Sequence, residues 1–253
     1  MSKPLAVQLY SLREEMEQNY EYVLKEISAI GYAGVETAGF PETMTPERVR
    51  GIVDGLGLKV AGAHLPLPIG KAKNQVIETA IAVESQWIVN GAVDRKLFQS
   101  LRGVFHACDL FNEAGAAAEE NGLRFAVHNH WWEFQEVDGR YPYQVMLDRL
   151  DPAICFELDA YWIQVAGHDP RTIVREFGDR APFIHIKDGP ASDYEAPMTA
   201  VGDGNVDYPG VIEASEENAE WLIVELDRCA TDMMEAIKKS HSYLTSKGLA
   251  HGK

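Results

Sequence analysis

Several apolar runs of this 253-residue chain close on ionisable residues, where an ordinary strand would close on a turn. The run AGVETAG carries Glu36, KVAGAH ends at His64, and LRFAVHNH ends in His128-Asn129-His130. ICFELDA carries Glu157 and Asp159, FIHIKDG carries His185, Lys187 and Asp188, and WLIVELD carries Glu225 and Asp227. Side chains alternate along a strand, so residues two apart share a face. His128 therefore shares a face with His130, Glu157 with Asp159, His185 with Lys187, and Glu225 with Asp227. Such groups are costly to bury alone. Brought together they partner one another, and a cation is the simplest further partner. A mixed imidazole and carboxylate set suits Mn²⁺, Zn²⁺, Co²⁺ or Fe²⁺, whereas an all-oxygen set suits Mg²⁺ or Ca²⁺. One such residue at a strand end reads as an ion-pair partner or a satisfied core group. The repetition on strand after strand is what points to a site.

The elements that must carry these residues recur at intervals. Short β-rich runs lie at 5–10, 33–39, 59–64, 86–92, 123–130, 154–160, 183–189 and 221–227. Helical spacing follows most of them. Val23, Leu24, Ile27 and Ile30 form one face, and Val49, Ile52, Val53 and Leu56 form another behind the cap signal Thr45-Pro46. The stretch from 98 to 121 closes at Asn121-Gly122, and that from 230 to 247 at Lys247-Gly248. Alternating strand and helix predicts a parallel sheet with helical crossovers. Eight repeats predict an α/β fold, a single (β/α)8 TIM barrel over 1–253, close to the roughly 250 residues typical of that fold. An open doubly wound sheet is the alternative, and it lacks the GxGxxG that its dinucleotide-binding form requires. In a barrel the C-terminal strand ends share one mouth, where active sites sit. The irregular stretch 188–209 is read as a loop over that face.

Composition narrows the partners. The chain carries 23 basic and 39 acidic side chains, a net charge of −16. That balance disfavours a polyanion such as nucleic acid. Cys108, Cys155 and Cys229 show no CxxC spacing and imply no disulfide framework. The N-terminal MSKPLAVQLYSL lacks the apolar stretch of a secretory signal, and no run is long and apolar enough to cross a bilayer. The expected location is the cytoplasm. Trp131, Trp132 and Phe134 read equally as packing or as a substrate platform, and Tyr10, Tyr161 and Trp162 could stack on a sugar ring. His106, His168, His241 and His251 read as surface or structural residues.

These segments together resemble the sugar phosphate isomerase/epimerase group of the xylose isomerase-like barrels. The resemblance runs through VQLYSLR (7–13), IGYAGVETAGF (30–40), FAVHNHWWEF (125–134), FELDAYW (156–162), FIHIKDG (183–189), VGDGNVDYPGVI (201–212) and WLIVELD (221–227). It implies one divalent metal, often Mn²⁺, held by Glu, Asp, His and Glu on strands five to eight. On this chain the last three are Asp159, His185 and Glu225. The strand-five glutamate position falls on His128, with His130 as the alternative ligand on the same face. In the epimerases the two glutamates ligate the metal and exchange protons on opposite faces of the substrate. The metal polarises a carbonyl and stabilises the enediolate.

A histidine nitrogen bound to metal cannot also be a base. The resemblance therefore leaves Glu225 as one base and passes the second role to Glu157, His64 or Lys187, or else demands only one face. Three outcomes follow: epimerisation with a substitute base, one-base isomerisation, or elimination of the inosose or 3-keto-glycoside type. All share proton abstraction α to a carbonyl. Candidate contacts for the small sugar-like substrate are Glu36, His130, Trp162 and Tyr10. Lys187 either bonds a substrate oxygen or pairs with Glu157 or Asp159. Glu133 either orients a ligand imidazole or is a solvated loop residue. Two other classes stand beside these. A multi-metal phosphodiester hydrolase like the endonuclease IV group would need a basic track, against the net charge. A non-catalytic sugar-binding barrel would draw support from His128 in the glutamate position. Homo-oligomers are compatible with such barrels.

Overall fold

All but one of the β-rich runs form strands that stop earlier than the runs themselves; the run 59–64 alone is strand over its whole length. The computed structural model describes residues 2–91 and 93–253, so Met1 and Ala92, the last residue of the 86–92 run, lie outside the described residues. The strands are β1 (Lys3–Gln8), β2 (Gly34–Ala38), β3 (Lys59–His64), β4 (Trp87–Asn90), β5 (Arg124–His128), β6 (Cys155–Asp159), β7 (Phe183–Ile186) and β8 (Trp221–Val224). All neighbours pair in parallel, and β8 pairs with β1, which pairs with β2. Among the described residues these eight strands close a barrel. His130, Lys187, Glu225 and Asp227 lie just past their strand ends, in the loops of the mouth.

Helices supply the crossovers: α1 (Arg13–Ile30), α2 (Pro46–Gly55), α3 (Lys73–Ala82), α4 (Leu101–Glu119), α5 (Pro142–Arg149), α6 (Ala160–Val165), α7 (Pro170–Phe177), α8 (Tyr208–Ser215) and α9 (Met233–Ser246). The Thr45 hydroxyl accepts the Arg48 N–H and Pro46 opens α2, as that sequence predicts. Gly122 and Gly248 follow their helices with φ of 72° and 68°. Two elements carried no sequence signal strong enough to read. One is the short helix α6 directly after β6. The other is β9 (Ala250–His251), which pairs in parallel with β1 outside the closed barrel. Among the described residues no helix is long and apolar enough to cross a membrane.

Strand alternation sorts the side chains into two shells. Leu5 and Val7, Phe125 and Val127, Phe156 and Leu158, Ile184 and Ile186, and Leu222 and Val224 pack outward against the helices. Ala6, Ala61, Trp87, Val89, Ala126, Cys155, Phe183 and Ile223 fill the axis. Trp87 and Phe183 meet edge to face there at 5.0 Å, with the Arg124 guanidinium 3.7 Å over the Trp87 ring. This apolar plug closes the lower barrel. The next inward positions upward are Gln8, His128, Glu157, His185 and Glu225. The polar mouth is thus the upper layer of a packed interior, not a pore.

The stretch between β7 and α8 is irregular but not loose. The Asp188 carboxylate accepts the backbone N–H groups of Gly189 (2.8 Å), Gly202 (2.9 Å), Gly204 (3.2 Å) and Val206 (3.2 Å). An added Cβ at Gly204 would overlap the Asp188 carboxylate. The Tyr208 hydroxyl accepts the Lys187 N–H and donates to the Lys187 carbonyl. Tyr194 then stacks on Trp131 at 4.9 Å, so the loop leans on the mouth as its length implied. Asp188 of the FIHIKDG segment therefore organises this loop. Asp188→Ala should lower stability by about 3 kcal/mol, because hydrogen bonds to a charged acceptor are worth roughly 1.5–3 kcal/mol each and several are lost together. Gly204→Ala should destabilise in the same direction. Urea unfolding of both variants checks this, and a loss below about 0.5 kcal/mol for Asp188→Ala would contradict the role.

Candidate active site

Strand register sets the functional side chains shoulder to shoulder. Gln8 pairs with Glu36, His128 with Glu157, and Asp159 with His185. Paired residues of a parallel sheet point the same way, so each pair shares the barrel interior. Between β2 and β3 the register shifts by one residue, which places Gly62 against Glu36. A Cβ at Gly62 would stand only 2.9 Å from Glu36 Oε1, so this glycine makes room for the carboxylate.

The lower part of the site is a nest of imidazoles around two buried carboxylates. Glu157 Oε2 lies 2.6 Å from His64 Nε2, 2.9 Å from His128 Nδ1 and 3.0 Å from His185 Nε2. Glu36 Oε2 accepts from Gln8 Nε2 at 2.6 Å and lies 2.8 Å from His185 Nε2. Burial would raise Glu157, yet His185 and His64 hold it well below the ordinary carboxylate range. Burial, with Glu157 beside it, raises Glu36 to about 7. Burial would lower His64, but Glu36 and Glu157 outweigh it and carry its pKa up to about 9. Burial dominates at His128 and brings it down to about 4, so that ring is neutral.

Above the nest is a corner of different character. Asp159 caps α6 with Oδ1, which accepts the Trp162 N–H at 3.0 Å. That bond aims Oδ2 inward, where it is buried and makes no hydrogen bond of sound geometry. Asn129 Oδ1 accepts the Asp159 N–H at 2.9 Å and ties β5 to β6 at this level. Glu225 Oε2 stands 2.9 Å from His185 Nδ1 and 2.7 Å from Lys187 Nζ. Lys187 Nζ is also 3.0 Å from Asp159 Oδ2 and 2.8 Å from Asp227 Oδ2. Burial raises Asp159 to about 6 in spite of that ammonium. Burial would raise Glu225, but Lys187 and His185 hold it well below the usual carboxylate range. Burial would depress the Lys187 ammonium, and Asp159, Asp227 and Glu225 outweigh it, keeping the pKa well above its ordinary value.

Ligand atoms of His128, Asp159, His185 and Glu225 lie within 4.8 Å of one another, and so do those of His64, His128, Glu157 and His185. The first set fits a divalent cation better. It holds two carboxylates, and it includes Asp159 Oδ2, which takes no hydrogen bond. The second set already satisfies its nitrogens on one carboxylate oxygen. His130 belongs to neither set. Its ring stacks on Trp132 at 4.0 Å and meets His128 edge-on at 5.0 Å. Burial, with His128 and Lys187 nearby, lowers it well below the ordinary imidazole value.

A cleft of about 420 Å³ opens over this corner, of the size that takes one small ligand. Tyr10, His64, His128, His130, Lys187 and Glu225 line it. Tyr10 stands at the rim, 43% exposed, with the Arg13 guanidinium 4.4 Å over its ring. Glu36 and Glu157, both 0% exposed, lie beneath the cleft and do not line it. Trp162 is buried in the wall, 5.4 Å from the Lys187 ammonium. Glu133 is buried, and its Oε2 accepts the His130 backbone N–H at 2.8 Å, shaping the turn after β5 and not orienting an imidazole. A larger groove, about 580 Å³, opens between α4 and the α5–β6 connection at the opposite end of the strands, far from this chemistry. Sequence reasoning missed Gln8, Gly62 and Asn129. Gln8 was the most legible of them, a polar side chain two residues after inward Ala6 on an otherwise apolar strand.

A closed parallel barrel with histidines and carboxylates gathered at its C-terminal mouth defines a family. The chain belongs to the xylose isomerase-like TIM barrel family, whose model matches residues 24–247. Among curated proteins it is similar to the inosose dehydratase of Salmonella agona, 22% identical, over 84% of this chain and 82% of that protein. Among solved structures it is similar to a sugar phosphate isomerase/epimerase from Parabacteroides distasonis, with a TM-score of 0.82 at 23% identity, covering 99% of this chain and 96% of that one. It is also similar to a probable 3-DHS dehydratase from Bacillus anthracis, with a TM-score of 0.72 at 13% identity, covering 96% and 98%.

The corner makes one prediction of sign. Burial would lower His185, but Glu157, Glu225 and Glu36 hold it well above its ordinary value, so Nδ1 carries a proton at neutral pH. A cation using Nδ1 must displace that proton. Its affinity should therefore rise with pH, with release of about one proton per ion near neutrality. Calorimetric titration with Mn²⁺ in buffers of different ionisation heat reads that number directly, and zero release would rule out His185 Nδ1 as a ligand.

Proposed function

We propose that this protein is a cation-dependent enzyme that removes a proton α to the carbonyl of an uncharged keto-sugar or cyclitol ketone, with loss of water as its first reading. The observation that carries this is a pairing in one cleft. His130 is a neutral imidazole there, and Lys187 is a protonated ammonium beside it. Both line the same cleft, so an imidazole lone pair and an ammonium proton can reach one ligand there.

His128, Asp159, His185 and Glu225 are the residues that would hold the ion, and their mixed donor set suits Mn²⁺, with Zn²⁺, Co²⁺ or Fe²⁺ as the other fits. Such an ion supplies a Lewis acid for the carbonyl oxygen. His130 takes the α-proton, and the C–H electron pair becomes the enolate. Lys187 protonates the β-hydroxyl as its bond to carbon breaks, so water departs and an unsaturated ketone remains. The two residues regain their starting states by passing the proton back through solvent. Tyr10 offers a rim ring for the substrate's apolar face.

The charge inventory supports an uncharged substrate. Lys187 faces three carboxylates and His64 faces two, so among the described lining residues no cation is left to meet a phosphate. The inosose dehydratase relatives agree with elimination. Isomerisation or epimerisation is the second reading, favoured by Glu225 on the same cleft and by the isomerase/epimerase neighbours. In that case the proton returns to carbon. Glu225 would be the base in that reading, its carboxylate kept ionised by Lys187 and His185.

Incubation with inososes and 3-keto-glycosides, with Mn²⁺ in D₂O, separates the two. Elimination yields a product lighter by one water; isomerisation or epimerisation keeps the mass of the skeleton and places deuterium on the α-carbon. No exchange with any ketone of this class would defeat both readings. His130→Ala should lower kcat about 10²- to 10⁴-fold while Mn²⁺ still binds. Asp159→Ala should lose Mn²⁺ and activity together. A His130→Ala enzyme at the wild-type rate would remove His130 as the base.

A further inference from the structure

Glu157 has no place in the chemistry above. It is fully buried below the cleft, capped by His64 on the side toward the mouth. Yet it meets three of the site's imidazoles, more than any other carboxylate described here. The pattern of atoms is specific. His128 turns Nδ1 to Glu157 Oε2 at 2.9 Å and leaves Nε2 4.0 Å from Asp159 Oδ2. His185 turns Nε2 to the same Glu157 oxygen at 3.0 Å and leaves Nδ1 2.9 Å from Glu225 Oε2. Each ring thus has one nitrogen on Glu157 and the other on the Asp159/Glu225 corner.

We propose that Glu157 is the positioning residue that decides, for His128 and His185 at once, which ring nitrogen carries the proton and which presents a lone pair to the cation corner. A neutral imidazole has one N–H and one lone pair, and the hydrogen bond made by one nitrogen selects the role of the other. A buried carboxylate accepts and cannot donate. It therefore holds N–H on His128 Nδ1 and on His185 Nε2, and it turns His128 Nε2 and His185 Nδ1 toward the Asp159/Glu225 corner, where His185 Nδ1 donates its second proton to Glu225 until a cation displaces it. Carboxylates behind metal-bound histidines act this way in general, and their loss typically weakens affinity 10- to 100-fold. The unusual feature is that one oxygen serves two ligand rings. His64, at 2.6 Å, adds a third contact and shields that oxygen from the cleft. Glu36 shares the task on His185 alone, at 2.8 Å, so His128 depends on Glu157 the more.

The inference rests on the cation reading of the Asp159/Glu225 corner, and the test keeps the two apart. Zn²⁺ is the probe, because it is diamagnetic and permits ¹⁵N NMR of histidine-labelled full-length protein. In wild type the expected spectrum shows N–H on His128 Nδ1 and His185 Nε2, with one Zn²⁺ bound. The opposite tautomer on His128, or two ions bound with the second in the His64/Glu157 quartet, overturns the proposal. Glu157→Gln should lower Zn²⁺ affinity about 10- to 100-fold, mix the His128 tautomers, and alter the absorption bands of the Co²⁺ form. Folded Glu157→Gln with affinity within twofold of wild type overturns it as well. If that variant does not fold, the wild-type tautomers alone decide. Absence of any Zn²⁺ or Mn²⁺ binding by wild type would instead defeat the cation reading itself.

Discussion

A carboxylate on the axis of a closed barrel has no water to turn to, so its partners must come from the same layer. Glu157 is in that position. The apolar plug of Trp87 and Phe183 lies below it, and the outward shell of Val127, Phe156, Leu158 and Ile184 surrounds it. His64, His128 and His185 answer its charge, and Glu36 shares His185. Once these rings are held, their remaining nitrogens have fixed directions. The upper corner inherits its geometry from the layer beneath.

This division separates structure from chemistry. The lower nest balances negative carboxylates against imidazoles, and its carboxylates do not line the cleft. The upper corner keeps Asp159 Oδ2 without a directed hydrogen bond and gathers Asp159, Glu225 and Asp227 on a single ammonium. These surroundings set the charge states of the cleft's side chains. Lys187 stays protonated because three carboxylates surround it, whereas His130 stays neutral because burial and two neighbouring cations or imidazoles disfavour its charge. Loops finish the arrangement. Asp188 and Tyr208 hold the backbone on both sides of Lys187, and Glu133 holds the turn that presents His130. The exposed part of the site is therefore carried on segments stiffened by buried acceptors.

His128 is where this chain departs from the pattern its segments resemble. A glutamate in that position would bring another negative charge to the corner and another base to the substrate. The imidazole brings neither, being neutral and tied to Glu157. With one carboxylate fewer, a two-carboxylate exchange across opposite faces of a substrate loses a partner. Elimination by one imidazole and one ammonium needs no such pair, and this chain has both in the cleft.

Much of this architecture was legible along the chain. Strand and helix alternation announced the barrel, because a parallel sheet needs crossovers. Period-two spacing placed Glu157 and Asp159, or His185 and Lys187, on one face, because strand pleating is local geometry. What the spacing could not reveal was depth and company. Glu157 and Asp159 look equivalent in FELDA, yet one is walled in by three rings and the other meets the Lys187 ammonium and caps α6, a difference set by the neighbouring strands' register. Lys187 and Glu36 lie 151 residues apart in the chain (187 − 36) and His185 joins them into one charge network only once β7 and β2 face each other across the closed barrel. Local sequence determined the types of residue that reach the mouth. Only closure decided which of them meet, since burial and charge pairing depend on groups that are remote in the chain and adjacent in space.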